Sequence, residues 1–225
     1  KELEEIELAD IVVVPSKFVY DTYVSNGVLA SKIRINHFGT DLDYFKPKKW
    51  DHTPEKIKFL FFGSLNGRKG LPLLFEAWEQ ISANTDAELI LAGYEKIPAH
   101  INIPQNVTIL GSVLKENRLS LFHSADVFVF PSFYEGFAQV QIEAAACGLP
   151  LIGTYHSGGE EIIQQNRNGI LVDVEDVDGL TNALLFFIEN KTKIPEMGHE
   201  SFLISKDFSW KEYGKRWEKI ISEIA

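Results

Sequence analysis

The chain has 225 residues, 45% hydrophobic and 12% aromatic, a length between one and two domains with ample material for a buried core. Its 22 Lys and Arg stand against 32 Asp and Glu, and a formal net charge of -10 excludes broad nucleic-acid binding, which needs a basic footprint. A single cysteine, Cys147, excludes an intrachain disulfide and any multi-cysteine metal site, and no apolar run approaches the ~18–20 residues of a membrane-spanning helix.

The chain opens at Lys1 inside an acidic, helical stretch, Lys1–Leu8, as expected of a piece of a longer protein. Short runs rich in Val, Ile and Phe then alternate with stretches of helical period. In chain order the periodicity predicts a strand at Ile11–Val14, a helix at Lys17–Asn26 and a strand at Lys32–Asn36. Strand Lys58–Phe62, helix Gly70–Ser82, strands Glu88–Ala92 and Val107–Leu110, helix Lys115–His123 and strand Asp126–Phe130 follow. Helix Phe137–Cys147, strand Pro150–Gly153, helix Gly159–Gln165, strand Gly169–Val172, helix Asp176–Glu189 and helix Trp210–Ile224 complete the set. Strands apolar on both faces and separated by helices predict an α/β fold, a doubly wound parallel sheet covered on both sides.

A polar, proline-bearing break at Lys46–Pro54 marks a linker. Two strands and one helix make no independent domain, so residues 1–48 read as the tail of another domain plus a crossover. Residues 49–205 form a Rossmann-like unit, and 206–225 a terminal helix.

In such a sheet, ligands bind beyond the carboxyl ends of the strands. Glycines, small residues and a few charges gather there: Gly63-Ser64 through Arg68-Lys69-Gly70 after one strand, Gly111-Ser112-Val113 after another, and Pro131–Phe137 after a third. Glycine lets backbone N–H groups approach a ligand, although every α/β sheet also needs glycine simply to turn. The more specific feature is a pair of carboxylates, Glu135 and Glu143. Eight residues along a helix is ~12 Å at ~1.5 Å per residue, a span that lets one carboxylate accept ribose hydroxyls and the other sugar hydroxyls. Free amides near Gly136, Phe137 and Ala138 would then serve the diphosphate between them.

The segment Pro131-Ser132-x-x-Glu135-Gly136-Phe137, followed by Glu143-Ala144-x-Ala146-x-Gly148-x-Pro150, resembles the E-x7-E signature of retaining GT-B glycosyltransferases of family GT4. Further stretches resemble that family in its order: Ala9–Ser16, Phe38-Gly39-Thr40-Asp41, Phe61-Phe62-Gly63 with Arg68-Lys69-Gly70, Phe122-x-x-Ala125-Asp126, and Asn168–Val172.

The resemblance implies sugar transfer from a nucleotide sugar with retention, this chain supplying the donor half and a separate N-terminal domain the glycan or lipid acceptor side. It assigns Glu135 and Lys69 to catalysis, Glu143 to the ribose, and Gly63, Ser64, Val113, Gly136, Phe137 and Ala138 to the donor site. The family's Arg after the first glycine is Ser64 here, and Arg68 is the candidate replacement. No cofactor and no metal are expected, because cations and a helix dipole serve the phosphates. Asp41-Leu42-Asp43 imitates a D-x-D metal motif but falls in the crossover. The expected location is the cytoplasm, with peripheral membrane attachment of a full-length protein as the alternative. Competing readings are a non-catalytic nucleotide-sugar-binding module, a GT-B epimerase, or a phosphorylase, whose lysine-bound pyridoxal phosphate would show a visible absorbance band. His37, His156 and Cys147 read as structural.

Overall fold

The computed structural model describes residues 2–95, 97 and 101–223. Lys1 and Ile224, at the outer ends of the first and last expected helices, lie outside them. The elements run α1 (Glu2–Leu8), β1 (Val12–Val14), α2 (Lys17–Ser25), β2 (Ile33–Ile35), β3 (Lys58–Phe62), α3 (Leu71–Ser82), β4 (Glu88–Ala92), β5 (Val107–Gly111), α4 (Arg118–His123), β6 (Val127–Phe130), α5 (Gln139–Ala146), β7 (Leu151–Thr154), α6 (Gly159–Ile162), β8 (Gly169–Val172), α7 (Val177–Glu189), α8 (Ile194–Ser205) and α9 (Trp210–Ser222).

Strands β3 to β8 form one parallel sheet in the order β5-β4-β3-β6-β7-β8, and β1 and β2 pair parallel in a small sheet of their own. The chain moves outward one way through β3, β4 and β5, then returns to the centre and moves the other way through β6, β7 and β8. Right-handed crossovers on these opposite courses put α3 on one face and α5 and α6 on the other. Accordingly α7 packs with α3, while α8 packs with α5 and α6. The central strands are buried on both sides, with Phe59, Leu60, Phe61, Leu89, Val127, Phe128 and Val129 fully inaccessible. That is why they read as continuous apolar runs rather than alternating ones. The sequence direction reverses between β3 and β6, so the crevice of the fold opens at their carboxyl ends.

The linker is strapped down. Lys48 Nζ donates to Ala125 O at 2.6 Å and pairs with Asp126 at 3.2 Å, and Trp50 Nε1 donates to Gly148 O. The terminal helix α9 starts on a Ser209 cap, whose Oγ accepts from Glu212 N, and lies back on the first segment. Arg216 donates to Asn36 Oδ1 and to His37 O, each at 2.8 Å, and Thr40 N donates to Phe208 O at 2.7 Å.

Four expectations change. Helix α8 was not foreseen, because Pro195 and Gly198 break its pattern. Pro195 sits in the first turn, where its missing N–H costs nothing, and Gly198 allows a close approach: a Cβ there would lie 2.2 Å from Gly148 O. Strand β5 is a partly exposed edge, with Ile109 and Leu110 43% and 51% exposed, rather than a strand covered on both faces. Helix α6 ends at Ile162, and α5 begins only at Gln139.

Candidate functional site

At the crevice lies a cleft of about 340 Å³. The loop after β3 supplies Gly63, Ser64 and Lys69; the loop after β5 supplies Ser112 and Val113; the loop after β6 supplies Glu135, Phe137 and Ala138; and α5 supplies Gln139, Val140 and Glu143. Backbone geometry explains how these loops come so close. Gly70 has φ +75°, and a Cβ on it would sit 1.9 Å from Pro131 O, so the β3 loop can lie against the β6 loop only with glycine there. Gly93 has φ +151° and a comparable 1.6 Å approach to Gly63 O.

Glu135 reaches the cleft from a loop, because its backbone is not helical. Its N–H donates to His156 O at 2.8 Å, and the helix begins four residues later. The helical spacing expected between the two carboxylates therefore does not apply, although both line one cleft. Glu135 Oε1 is approached by Lys69 Nζ, by Arg68 Nη1 at 2.9 Å and by Ser132 Oγ at 3.1 Å. Lys69 lines the cleft. Arg68 does not: its guanidinium is drawn to Glu135 from outside, over the Tyr134 ring at 5.6 Å.

The amides near the start of α5 are only partly as expected. The Ala138 N–H is taken by Ser157 O at 3.1 Å, whereas those of Gly136 and Phe137 make no hydrogen bond among the described residues. Gly136 itself faces away, its carbonyl accepting from Ser16 Oγ at 2.6 Å, and it does not line the cleft.

Glu143 lies at the other end. Burial pushes its carboxyl up to about 7, against the opposing pull of Arg118 and Lys115. Arg118 Nη1 stands 3.6 Å from Glu143 Oε1, with its guanidinium 5.2 Å from the Phe62 ring centre, and it lines the cleft. Sequence reading passed over Arg118. Its only signal was a cation just beyond the carboxyl end of β5.

The remaining residues singled out lie elsewhere. Asp41 Oδ1 accepts the amides of Asp43 and Tyr44 in a turn, and neither Asp41 nor Asp43 lines the cleft. Among the described residues no group of three or more His, Cys, Asp or Glu side chains is gathered to hold a metal ion. His37 is bonded to Pro15 O and stacks on Phe137, and burial lowers its pKa; His156 stacks on Phe18. Cys147 is buried, and burial pushes its thiol up.

The sheet order and the position of the cleft define the α/β fold of GT-B glycosyltransferases. Residues 56–190, more than half of the sequence, match the model of the family described as "Glycosyl transferases group 1", and the chain belongs to that family. It is 32% identical over 164 residues to an uncharacterized glycosyltransferase of Methanocaldococcus jannaschii, covering 70% of this chain and 42% of that protein. It is 29% identical over 168 residues to a GDP-mannose-dependent monoacylated alpha-(1-6)-phosphatidylinositol monomannoside mannosyltransferase of Corynebacterium glutamicum, covering 68% and 44%. Among solved structures, sucrose-phosphate synthase from Thermosynechococcus elongatus matches 99% of this chain and 60% of its own, with a TM-score of 0.83 and 25% identity. Anabaena HepE, solved with UDP and glucose, matches 96% and 64% with a TM-score of 0.81 and 19% identity, a likeness of fold. The chain spans about half the length of the curated relatives it matches.

Proposed function

We propose that this chain is the donor-binding half of a retaining glycosyltransferase that moves a hexose from a nucleoside diphosphate sugar to a glycan or lipid. The observation that carries the reading is the convergence of Glu135, Lys69 and Glu143 on one cleft at the switch point of the sheet. Glu143 accepts the ribose hydroxyls, and Lys69 faces the diphosphate together with the Phe137 amide, which makes no hydrogen bond among the described residues. Glu135 faces the sugar as charge develops at the anomeric carbon. Departure of the nucleoside diphosphate is eased by these fixed charges, without a metal ion or a cofactor.

Residues 1–48 are the end of an acceptor-side domain, onto which α9 folds back. The isolated chain therefore binds donor weakly and turns over little; robust transfer by it alone contradicts this division of labour. The names of the relatives point to GDP and UDP sugars as the first donors to try.

The test is a thermal-shift panel of UDP, GDP, ADP, dTDP and their common sugar conjugates on the wild type and Glu143→Ala. A ligand at ~100 times its Kd stabilises by ~2.7 kcal/mol. One nucleotide should shift the wild type and not the mutant. An equal shift in both removes Glu143 from the ribose, and no shift with any nucleotide removes the donor site from this chain.

A further inference from the structure

Three donors crowd one oxygen of Glu135, while its Oε2 makes no hydrogen bond among the described residues. The two cations are not equivalent. Lys69 lines the cleft and is 13% exposed, whereas Arg68 is 42% exposed, lies outside the lining and also reaches Tyr134 O at 3.4 Å. The carboxylate is anchored. Its own N–H is held by His156 O, and the neighbouring Ser132 is fully buried, with its carbonyl accepting from Thr154 Oγ1 at 2.6 Å. Lys69 carries a long side chain whose ammonium reaches Glu135 from within the lining of the cleft.

We propose that Glu135 is a built-in stand-in for the donor diphosphate: it pairs with Lys69 in the cleft, surrenders it to the entering diphosphate, and keeps Arg68 as its own counter-ion. The inference rests on the donor-site reading above. The carboxylate occupies the Lys69 ammonium until the phosphates compete for it. When Lys69 leaves, Arg68 prevents Glu135 from being stranded without a counter-charge. The carboxylate is thereby released toward the sugar only when a donor is present. Arg68 then acts on the ligand through Glu135 rather than by contact, a positioning role distinct from that of a replacement phosphate binder.

The hand-over is a competition, so neutralising Glu135 must tighten diphosphate binding. The experiment is calorimetric titration of uridine, guanosine and their diphosphates into the wild type, Glu135→Gln, Arg68→Ala and the double variant. Glu135→Gln should bind the diphosphate about tenfold tighter, a change of ~1.4 kcal/mol, and the nucleoside equally well. Arg68→Ala should bind the diphosphate severalfold more weakly, and this effect should vanish in the Glu135→Gln background. Retained nucleoside binding shows that each variant is folded, and Glu135→Ala must act in the same direction as Glu135→Gln.

Unchanged or weaker diphosphate binding by Glu135→Gln, with nucleoside binding intact, overturns the stand-in role and leaves the donor site standing. An equal Arg68→Ala effect in both backgrounds means direct contact with the ligand and also overturns it. If neither nucleosides nor diphosphates bind any of the proteins, the donor-site reading falls, and this inference falls with it.

Discussion

Glu143→Gln tests the electrostatics of the cleft without any ligand. The Glu143 carboxyl rises from its ordinary 4.5 to about 7, chiefly because burial strips water from the charged form, while Arg118 and Lys115 pull the other way. A carboxyl raised from 4.5 to about 7 by burial corresponds to roughly 3 kcal/mol between its charged and neutral forms. The sign follows from proton counting. Between pH 4.5 and 7 the folded protein binds the proton more tightly than the unfolded chain does, so this group lowers stability as pH rises. Its cost is absent below about pH 4.5 and complete above about pH 7. Glutamine has nearly the same shape and no charge to desolvate. Chemical denaturation of both proteins from pH 4.5 to 8 should show Glu143→Gln gaining on the wild type, the gap widening by about 3 kcal/mol and then levelling. Burial also raises Glu160 and Glu161, but both proteins carry them, so the difference isolates Glu143. A gap that stays flat across this range would falsify the burial argument. On the proposed role of Glu143, in which ribose hydroxyls donate to its ionised form, nucleotide affinity in the wild type should rise with pH up to about 7 and then plateau.

Three further outcomes are expected. Arg118→Ala removes the nearest charge that holds the Glu143 carboxyl down, so the pH at which nucleotide affinity levels off should move upward; an unmoved midpoint would show that the 3.6 Å pair carries no coupling. Gly70→Ala places a Cβ 1.9 Å from Pro131 O at φ +75°, which should cost at least ~2 kcal/mol in denaturant unfolding; wild-type stability would refute the close loop approach. Arg216→Ala deletes bonds to Asn36, His37 and Asp207, and should cost ~1–3 kcal/mol and speed hydrogen exchange over residues 33–40. Acceleration confined to α9 would mean that the helix does not hold that segment.

Much of the fold was legible because its signals are local. Each of the eight expected strands appears within about a residue of its expected place, and the central ones, buried on both faces, are apolar along their whole length, as Phe59–Phe61 and Val127–Val129 are. Helix α8 was hidden because its stability comes from packing: Gly198 is a poor helix residue that is tolerated only where α8 presses against the end of α5. The exposure of β5 was equally hidden. Ile109 and Leu110 look like core residues, and nothing within the strand says that it ends a sheet.

The same division holds at the site. Residue type and the family resemblance together brought out Glu135, Glu143, Lys69 and the glycine turns, because carboxylates beside small residues at strand ends are a local pattern. Only the tertiary structure decided which of these side chains meet. Lys69 and Glu135 lie 66 residues apart and Arg118 and Glu143 come from different helices, yet the strand order brings the loops after β3, β5 and β6 to one edge. That order also placed Lys69 in the lining of the cleft and Arg68 outside it, whereas the sequence had expected both adjacent cations at the donor site. Periodicity reports which face of an element is buried; long-range packing of the whole sheet sets which charges share a space, and so which pKa values shift.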